Sequence, residues 1–481
     1  MDHFVAQLGA WRSGTGSLHA RLAEAIVGAI DRRDLTVGTA LPAERTLAEL
    51  LGISRGTVVA AMRSLADQRV IQRVRGSGSV VAARSSRPAR DRPRDTRLSQ
   101  VYGAVGRGVI EMVAAAPLGD GAVPDSVWQA AIAEMDGLST STGYFYAQGL
   151  PALRGAIADH MVGWGLDVDP DDVAVCNGAQ QAISLVAQTF VNRGDCVVVE
   201  EYTWAGAIDA FRAAGARVVT VRSDGIGPDV AHLRETLANA NPVLVYLCSS
   251  VNNPTGVTMP ATRRMRVTEA CAAHGVTIVD DCIFHDVVIA ERPNPLASYE
   301  PRPPVITIGS ISKLFWGGLR IGWMHAPHEM LTRLAERRRI VDLGSPLVTQ
   351  LVATHLLNDY AEAMRERRLA EISHRLSLLA ELAGRELSDI EWTEPSGAYM
   401  VWMRLPYGDS REFAHYAMRE GVAVLPGTLM SAAGAGADHI RLALIHDDAT
   451  IIEAFTRLGR AWKNFRPMAD RALDRSDLVV V

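Results

Sequence analysis

The sequence predicts two folded parts of different class: a small, mainly helical module closed by a β-hairpin, and a large α/β body on a mainly parallel sheet. Three observations predict this. Apolar residues recur at helical spacing through residues 18–67 and then at period two through 70–81. A stretch rich in arginine and proline with no apolar periodicity follows. Beyond residue 100, short β-branched runs alternate with helical stretches, the order of an α/β sheet. Charge divides in the same place. Residues 1–100 hold 16 Arg against 9 Asp or Glu, a net of +7, so the rest carries −12 to give the total of −5. A basic front suits a polyanion, and an acidic body does not.

The chain as a whole has 481 residues, 48% hydrophobic and 21% charged, a globular composition. No apolar run approaches the ~20 residues of a membrane helix. The start, Met1-Asp2-His3-Phe4, lacks the basic-then-apolar order of a secretory signal. Five scattered cysteines without a CxxC pair fit a reducing compartment with no disulfide framework and no structural metal. The expected location is cytoplasmic.

In the basic front, Leu18, Leu22, Ala25, Ile26 and Ala29 share one stripe of a first helix. Pro42 is placed to open a second helix that Gly52 stops. Ser54 is an N-cap for a third, Arg55 to about Asp67, with Val58, Ala61, Met62 and Leu65 facing inward. Residues 70–74 and 79–81 alternate as two strands around Arg75-Gly76-Ser77-Gly78. This is a winged helix-turn-helix pattern. Arg45, Ser54, Arg55, Thr57 and Arg63 fall where a groove would be met, and Arg73 and Arg75 flank the wing tip. The run Leu41-Pro42-Ala43-Glu44-Arg45-Thr46-Leu47-Ala48, then Leu51-Gly52-Ile53-Ser54-Arg55-Gly56-Thr57-Val58 and the wing glycines, resembles the GntR-type DNA-binding domain over residues 15–83. The resemblance implies double-stranded DNA as partner, with Arg45, Arg55 and the wing around Gly78 at phosphates. The expected domain is 1–83. Residues 84–107, with six arginines and two prolines before Ser99, read as a flexible connector.

The body shows its chemistry through a lysine. The chain has 47 arginines and two lysines, and Lys313 lies in Ser310-Ile311-Ser312-Lys313-Leu314-Phe315-Trp316-Gly317-Gly318-Leu319-Arg320. A lysine amine can lose its proton and form a Schiff base with an aldehyde, which arginine cannot. The serines and Arg320 have spacings suited to a phosphate, so the segment points to pyridoxal 5'-phosphate (PLP). Expected strands are 173–176, 196–200, 217–221, 243–247, 276–280 and 305–309, with helices 178–191 and 262–273 among them. Residues of interest fall at strand ends, where ligands collect. Asn177-Gly178-Ala179-Gln180-Gln181 opens a helix, a phosphate cradle of backbone amides. Asp280 ends a strand and could hold a pyridine nitrogen protonated. Asn252-Asn253-Pro254-Thr255-Gly256 is a tight turn, Trp204 could stack on a ring, and Arg441 could fork a carboxylate.

In that order these residues, with Tyr144 and Gly149-Leu150-Pro151-Ala152-Leu153-Arg154, resemble fold-type I aminotransferases from about 108 to 465. The resemblance implies a PLP-dependent transferase fold with a small C-terminal α+β subdomain, leaving 466–481 as a tail. It implies Lys313 as the Schiff-base lysine, Asp280 (or Asp281) at the pyridine nitrogen, Asn253 at the phenolate oxygen and Trp204 on the ring face. Ala179, Gln180, Ser310, Ser312 and Arg320 would hold the phosphate, Arg441 the ligand carboxylate, and Tyr144 the phosphate of a neighbouring subunit. Relatives carry a tyrosine two or three residues after the aspartate, and Asp280-Asp281-Cys282-Ile283-Phe284 has none. Gly317 stands where relatives have proline, and Gly206 removes one place for a second cation. A GntR-type head on such a body resembles MocR/GabR-type bacterial transcription regulators. That layout implies a homodimer, with heads exchanged between subunits, that senses PLP or a small amine or amino-acid effector. The alternative is a working aminotransferase with an accessory DNA-binding head.

Overall fold

The computed structural model describes residues 8, 11, 17–31, 34–35, 39–67, 70–74, 78–81, 96–103, 106, 108–119, 122–141, 146–289 and 291–476. It divides into two compact units, Met1–Arg94 and Asp95–Val481.

In the first unit, helices Leu18–Asp31, Glu44–Leu51 and Arg55–Asp67 accompany three short strands, β1 (Ala40–Leu41), β2 (Ile71–Val74) and β3 (Gly78–Val81). The strands pair antiparallel in the order β1-β3-β2. The helical apolar spacing gathers Leu22, Ile26, Leu47, Leu51, Val58, Met62 and Leu65 into one core. Gly52 ends the middle helix at φ 58°, its N–H bonded to the Ala48 and Glu49 carbonyls. Ser54 Oγ accepts the Thr57 N–H at 3.1 Å and starts the next helix as an N-cap. The middle helix begins at Glu44, because Ala43 is extended (φ −57°, ψ 145°), so Pro42 lies in the lead-in rather than in the first turn. The two-residue β1 was too short to be seen as alternation.

The second unit is built on a seven-stranded sheet. Its strands are β5 (Val173–Cys176), β6 (Cys196–Glu200), β7 (Arg217–Val221), β8 (Leu244–Leu247), β9 (Thr277–Asp281), β10 (Val305–Ser310) and β11 (Gly322–His325), in the order β5-β11-β10-β9-β8-β6-β7. Only β11 runs antiparallel among them. Both faces are buried. One carries Val175, Val245, Ile278 and Trp323, and the other Val199, Tyr246, Val279 and Ile308. Continuous apolar strands are the result, which is why six of the seven were readable. β11 was not, since Gly-Trp-Met-His shows no such run.

A smaller subdomain holds an antiparallel sheet β12-β13-β16-β15 (Glu391–Trp392, Met400–Arg404, His439–Ala443, Leu425–Pro426) and a parallel pair, β4 (Ile110–Glu111) with β14 (Val422–Ala423). Helices Ala361–Glu386 and Asp448–Ser476 pack against it through Ile372, Leu379, Phe455 and Trp462. Two expected boundaries move. Helix Arg97–Val101, capped by Thr96, belongs to the second unit although it falls inside the expected connector 84–107. The last helix runs unbroken to Ser476, across the boundary expected at 465. No helix among the described residues is long and apolar enough to cross a membrane.

Leu47 is fully buried in the first unit's core. Leu47→Ala is expected to destabilise that unit by about 3 kcal/mol, through lost transfer energy and the cavity left behind. Calorimetry of the full chain should show an earlier transition for the head and an unchanged one for the body.

Candidate functional site

Loops leaving the carboxyl ends of the parallel strands converge on Lys313, just past β10. Its Nζ donates to the Ala115 carbonyl at 2.9 Å and stands 5.0 Å from the centre of the Phe284 ring. Burial, and then the nearby Arg441 charge, hold the amine down to about 8. Arg441, on β16, is 1% exposed. It donates to Asn253 Oδ1 at 2.9 Å and to the Val113 carbonyl, both neutral acceptors, and its buried Nε has no partner among the described residues. Burial pulls its acidity to about 10. A guanidinium so enclosed, with no carboxylate bonded to it among the described residues, is a ready receptor for an anion.

The consecutive aspartates point to opposite faces of the sheet. β9 ends at Asp281, one residue later than its expected end. Strand alternation therefore puts Asp281 with Val279 and its register partner Ile308, and Asp280 with Ile278. Asp281 accepts the Tyr246 hydroxyl on Oδ2 and the Ile283 N–H on Oδ1 at 3.3 Å. Burial raises it to about 6, while the Lys313 charge opposes that. Asp280, the expected partner of the pyridine nitrogen, lies on the far face. There Oδ2 accepts the Leu296 N–H at 2.9 Å and the buried Arg264 charge is felt. It is Asp281, the alternative, that shares the side of Lys313. Three residues after it comes Phe284, a ring without a hydroxyl.

The cradle expected for a phosphate forms around Gly178, which leads at φ 81° into helix Ala179–Phe190. A side chain there would meet Arg320 Nη2 at 2.6 Å, so only glycine lets the guanidinium approach. Arg320 donates to the Asn177 carbonyl at 2.8 Å. The Ser310 hydroxyl lies 3.0 Å from both Ser312 Oγ and the Ile321 carbonyl, and also accepts the Ser312 N–H at 3.2 Å. The Gln180 backbone stays at the helix start, where a phosphate role is expected of it, and its side chain has a second part. Its Oε1 accepts the Trp204 indole N–H at 2.7 Å and its Nε2 donates to the Gly206 carbonyl, so its side chain fixes the tryptophan. Trp204 in turn meets the Tyr102 ring edge-on at 6.3 Å.

Several contributors had no signal in the sequence. Asp342 accepts from Asn177 Nδ2 at 2.9 Å, from Gln181 and from Arg338, pinning the cradle from 165 residues away in the chain. Tyr246 and Val113 were likewise unmarked; only strand parity, carried through to β8, would have turned Tyr246 toward Asp281. Tyr144 lies outside the described residues.

On the head, Arg45, Ser54, Arg55 and Arg63 are exposed and Thr57 is half-buried, 2.8 Å from Ser54 Oγ. Arg45 stays 3.9 Å from the exposed Glu49. Arg75 lies outside the described residues, and Gly78 opens β3.

Comparison with known proteins matches this geometry. A family model for aminotransferase class I and II covers residues 108–458, and one for bacterial regulatory proteins of the gntR family covers 18–81. The 2-aminoadipate transaminase of Thermus thermophilus is 33% identical over 327 residues, 66% of this chain and 81% of its own. The HTH-type transcriptional regulator YisV of Bacillus subtilis is 25% identical over 433 residues, 85% of this chain and 89% of its own. YjiR of Escherichia coli is 25% identical over 443 residues, covering 88% and 94%. These two stretches are longer than the second unit, so the regulators match across both parts. The crystal structure of LysN, the α-aminoadipate aminotransferase of Thermus thermophilus complexed with N-(5'-phosphopyridoxyl)-L-leucine, has a TM-score of 0.71 at 30% identity and covers 78% of this chain and 97% of that one. The chain therefore belongs to the class I and II aminotransferase family, and its gntR-family head makes it a DNA-binding transcription regulator with an aminotransferase-like body of the pyridoxal-phosphate kind.

Proposed function

We propose that the body holds PLP at Lys313 and reports to the head whether an amine or amino acid has joined it. One observation carries this reading: Arg441, a buried guanidinium with only neutral acceptors among the described residues, stands beside the lysine at the body's strand ends. The donor set fits the group. Among the described residues Lys313 bonds a backbone carbonyl alone, the Gly178 turn lets the Arg320 guanidinium approach, and Ser310 and Ser312 lie just before Lys313. In this reading Lys313 takes the aldehyde and Asp281 the ring nitrogen. Trp204 covers the ring face, and Ala179, Ser310, Ser312 and Arg320 the phosphate. Bound there, the cofactor supplies an aldehyde open to primary amines and a ring that withdraws electrons. Arg441, with Asn253 turning toward it, selects a ligand carboxylate.

Regulation runs through Trp204 and the helix Arg97–Val101. That helix is tied down by the Leu98 N–H on Asp209 at 2.9 Å, by Arg97 on the Ser431 carbonyl at 3.0 Å, and by Val101 among Val113, Ala205 and Leu425, the cluster against which Trp204 packs. The Arg/Pro-rich connector ends where this helix begins, so a ligand that shifts Trp204 biases the anchor of the connector. The body pairs with a second copy, which the exposed Ile340, Val341 and Leu343 support.

Lys313 should be labelled by PLP after borohydride reduction, read by peptide mass spectrometry, and Lys313→Ala should carry no label. A neutral amine is the attacking form. With its pKa lowered to about 8, the labelling rate should climb with pH and level off above about pH 8, where an ordinary lysine would climb through ~10.4. Arg55→Ala should weaken binding to a random-sequence DNA duplex and reduce the salt slope of log K by about 1, leaving PLP labelling unchanged.

The 33% identity to a transaminase favours a second reading, an active aminotransferase with a DNA-binding head. Incubation with amino acid and 2-oxo acid decides. Sustained turnover in the ordinary range of ~1–1000 per second would make catalysis primary, and at most one turnover per site is the expected result.

A further inference from the structure

Tyr246 lies fully buried on β8, a strand whose apolar run gives no sign of a site. Its hydroxyl donates to Asp281 Oδ2, and Cys248 Sγ stands 3.7 Å from the tyrosine hydroxyl. A tyrosine bonded to a carboxylate is often no more than a satisfied polar pair in a core. Here the carboxylate ends its strand beside Lys313, and its other oxygen has a single 3.3 Å bond from the Ile283 N–H. We propose that Tyr246 is a positioning residue of the cofactor site, aiming the Asp281 carboxylate and keeping it ionised for a cationic ring nitrogen. This rests on the PLP reading above and deepens it.

The electrostatics around Asp281 explain the need. Burial pushes the group toward its neutral form, and Asp280 on the same strand adds like charge. Across the sheet, Glu200 on β6 accepts the Cys248 N–H at 2.8 Å and is itself raised to about 8 by burial, with Asp280 and Asp281 adding to the rise. The Cys248 thiol is held well above its ordinary range and offers no charge. Opposing protonation are the Tyr246 hydroxyl, the Ile283 N–H and the Lys313 charge. The hydroxyl is therefore the strongest fixed donor on the carboxylate. Without it, Oδ2 is a buried acceptor with nothing to accept, and the group takes up a proton at higher pH. A neutral acid no longer balances a cationic ring.

The sign follows. Tyr246→Phe raises the pH at which Asp281 ionises, so cofactor affinity is lost near neutrality and returns as pH rises. The test is equilibrium binding of PLP to the full-length apo protein, followed by the quenching of tryptophan fluorescence across pH. The unmodified chain should hold its affinity down to about pH 6, and Tyr246→Phe should bind on the order of tenfold more weakly near pH 7 with the profile moved up by about one unit. Superimposable profiles for the two would overturn the proposal. Asp281→Asn separates the causes. If it weakens PLP binding while Tyr246→Phe does not, this inference fails alone; if it has no effect at any pH, the cofactor reading of Asp281 fails with it. Should Tyr246→Phe not fold, ¹⁵N-labelled PLP in the unmodified protein decides. A ring nitrogen still protonated well above neutral pH supports the assignment, and one deprotonated at neutral pH overturns it.

Discussion

Two cations share one buried site, and only one of them can give up its charge. Arg441 keeps its proton at any working pH even with its pKa drawn down to about 10, whereas Lys313 falls to about 8 under the same burial and the repulsion from Arg441. The fixed guanidinium thus sets the lysine up as a nucleophile and at the same time demands an anion for itself. Other parts of the site keep that pair in place: the Asn253 turn, the extended segment after β4 that carries Val113 and Ala115, and β16, which carries Arg441 between β13 and β15.

The turn is held by a second buried guanidinium. Arg264 donates to the Met259 carbonyl at 2.8 Å, to Ser249 Oγ and carbonyl at 2.9 and 2.6 Å, to Ser250 Oγ at 3.1 Å and to the Asn294 carbonyl at 2.9 Å. A planar fork is suited to this, since a few fixed donors tie both ends of the Asn252–Asn253 loop to one helix. Asn294 lies two residues before Leu296, whose N–H holds Asp280. The paired aspartates are therefore divided in labour by strand parity. Asp280 belongs to the scaffold around Arg264, and Asp281 is left free to face Lys313.

This division explains what could be read from residues alone. The Ser310–Arg320 spacing is local, because the chain brings its own serines, lysine and arginine to one loop, and the head is local too, with caps and periodicity inside a short span. Asp280 was read at the ring with Asp281 in reserve because two adjacent aspartates at a strand end differ only in which face they meet, and a strand end is the least defined part of an apolar run. Gln180 was read as part of the phosphate cradle from its backbone place at a helix start, and the second part its long side chain plays, turning back to Trp204, left no mark in the sequence. Tyr246 and Asp342 act across tens of residues of sequence, where no pattern of spacing speaks for them. The helix at 97–101 was hidden because its composition continues that of the connector while a single residue, Val101, buries it.

The surroundings of Lys313 also bear on whether such a site turns over or holds. Proton transfer in repeated cycles needs a partner beside the amine whose own protonation can change with it. Among the described residues, the groups bonded to or stacked on Lys313 are a backbone carbonyl and the ring of Phe284, neither of which exchanges a proton, and Asp281, the titratable group on its side of the sheet, is held by Tyr246. The ring face does favour a cation, stabilising the ammonium by about 1 kcal/mol on ordinary magnitudes. The ring thus offsets part of what burial and Arg441 cost the ammonium. An amine held in place by a carbonyl and a ring suits the proposed switch, which gains from a long-lived liganded state, better than rapid turnover, which gains from a short one.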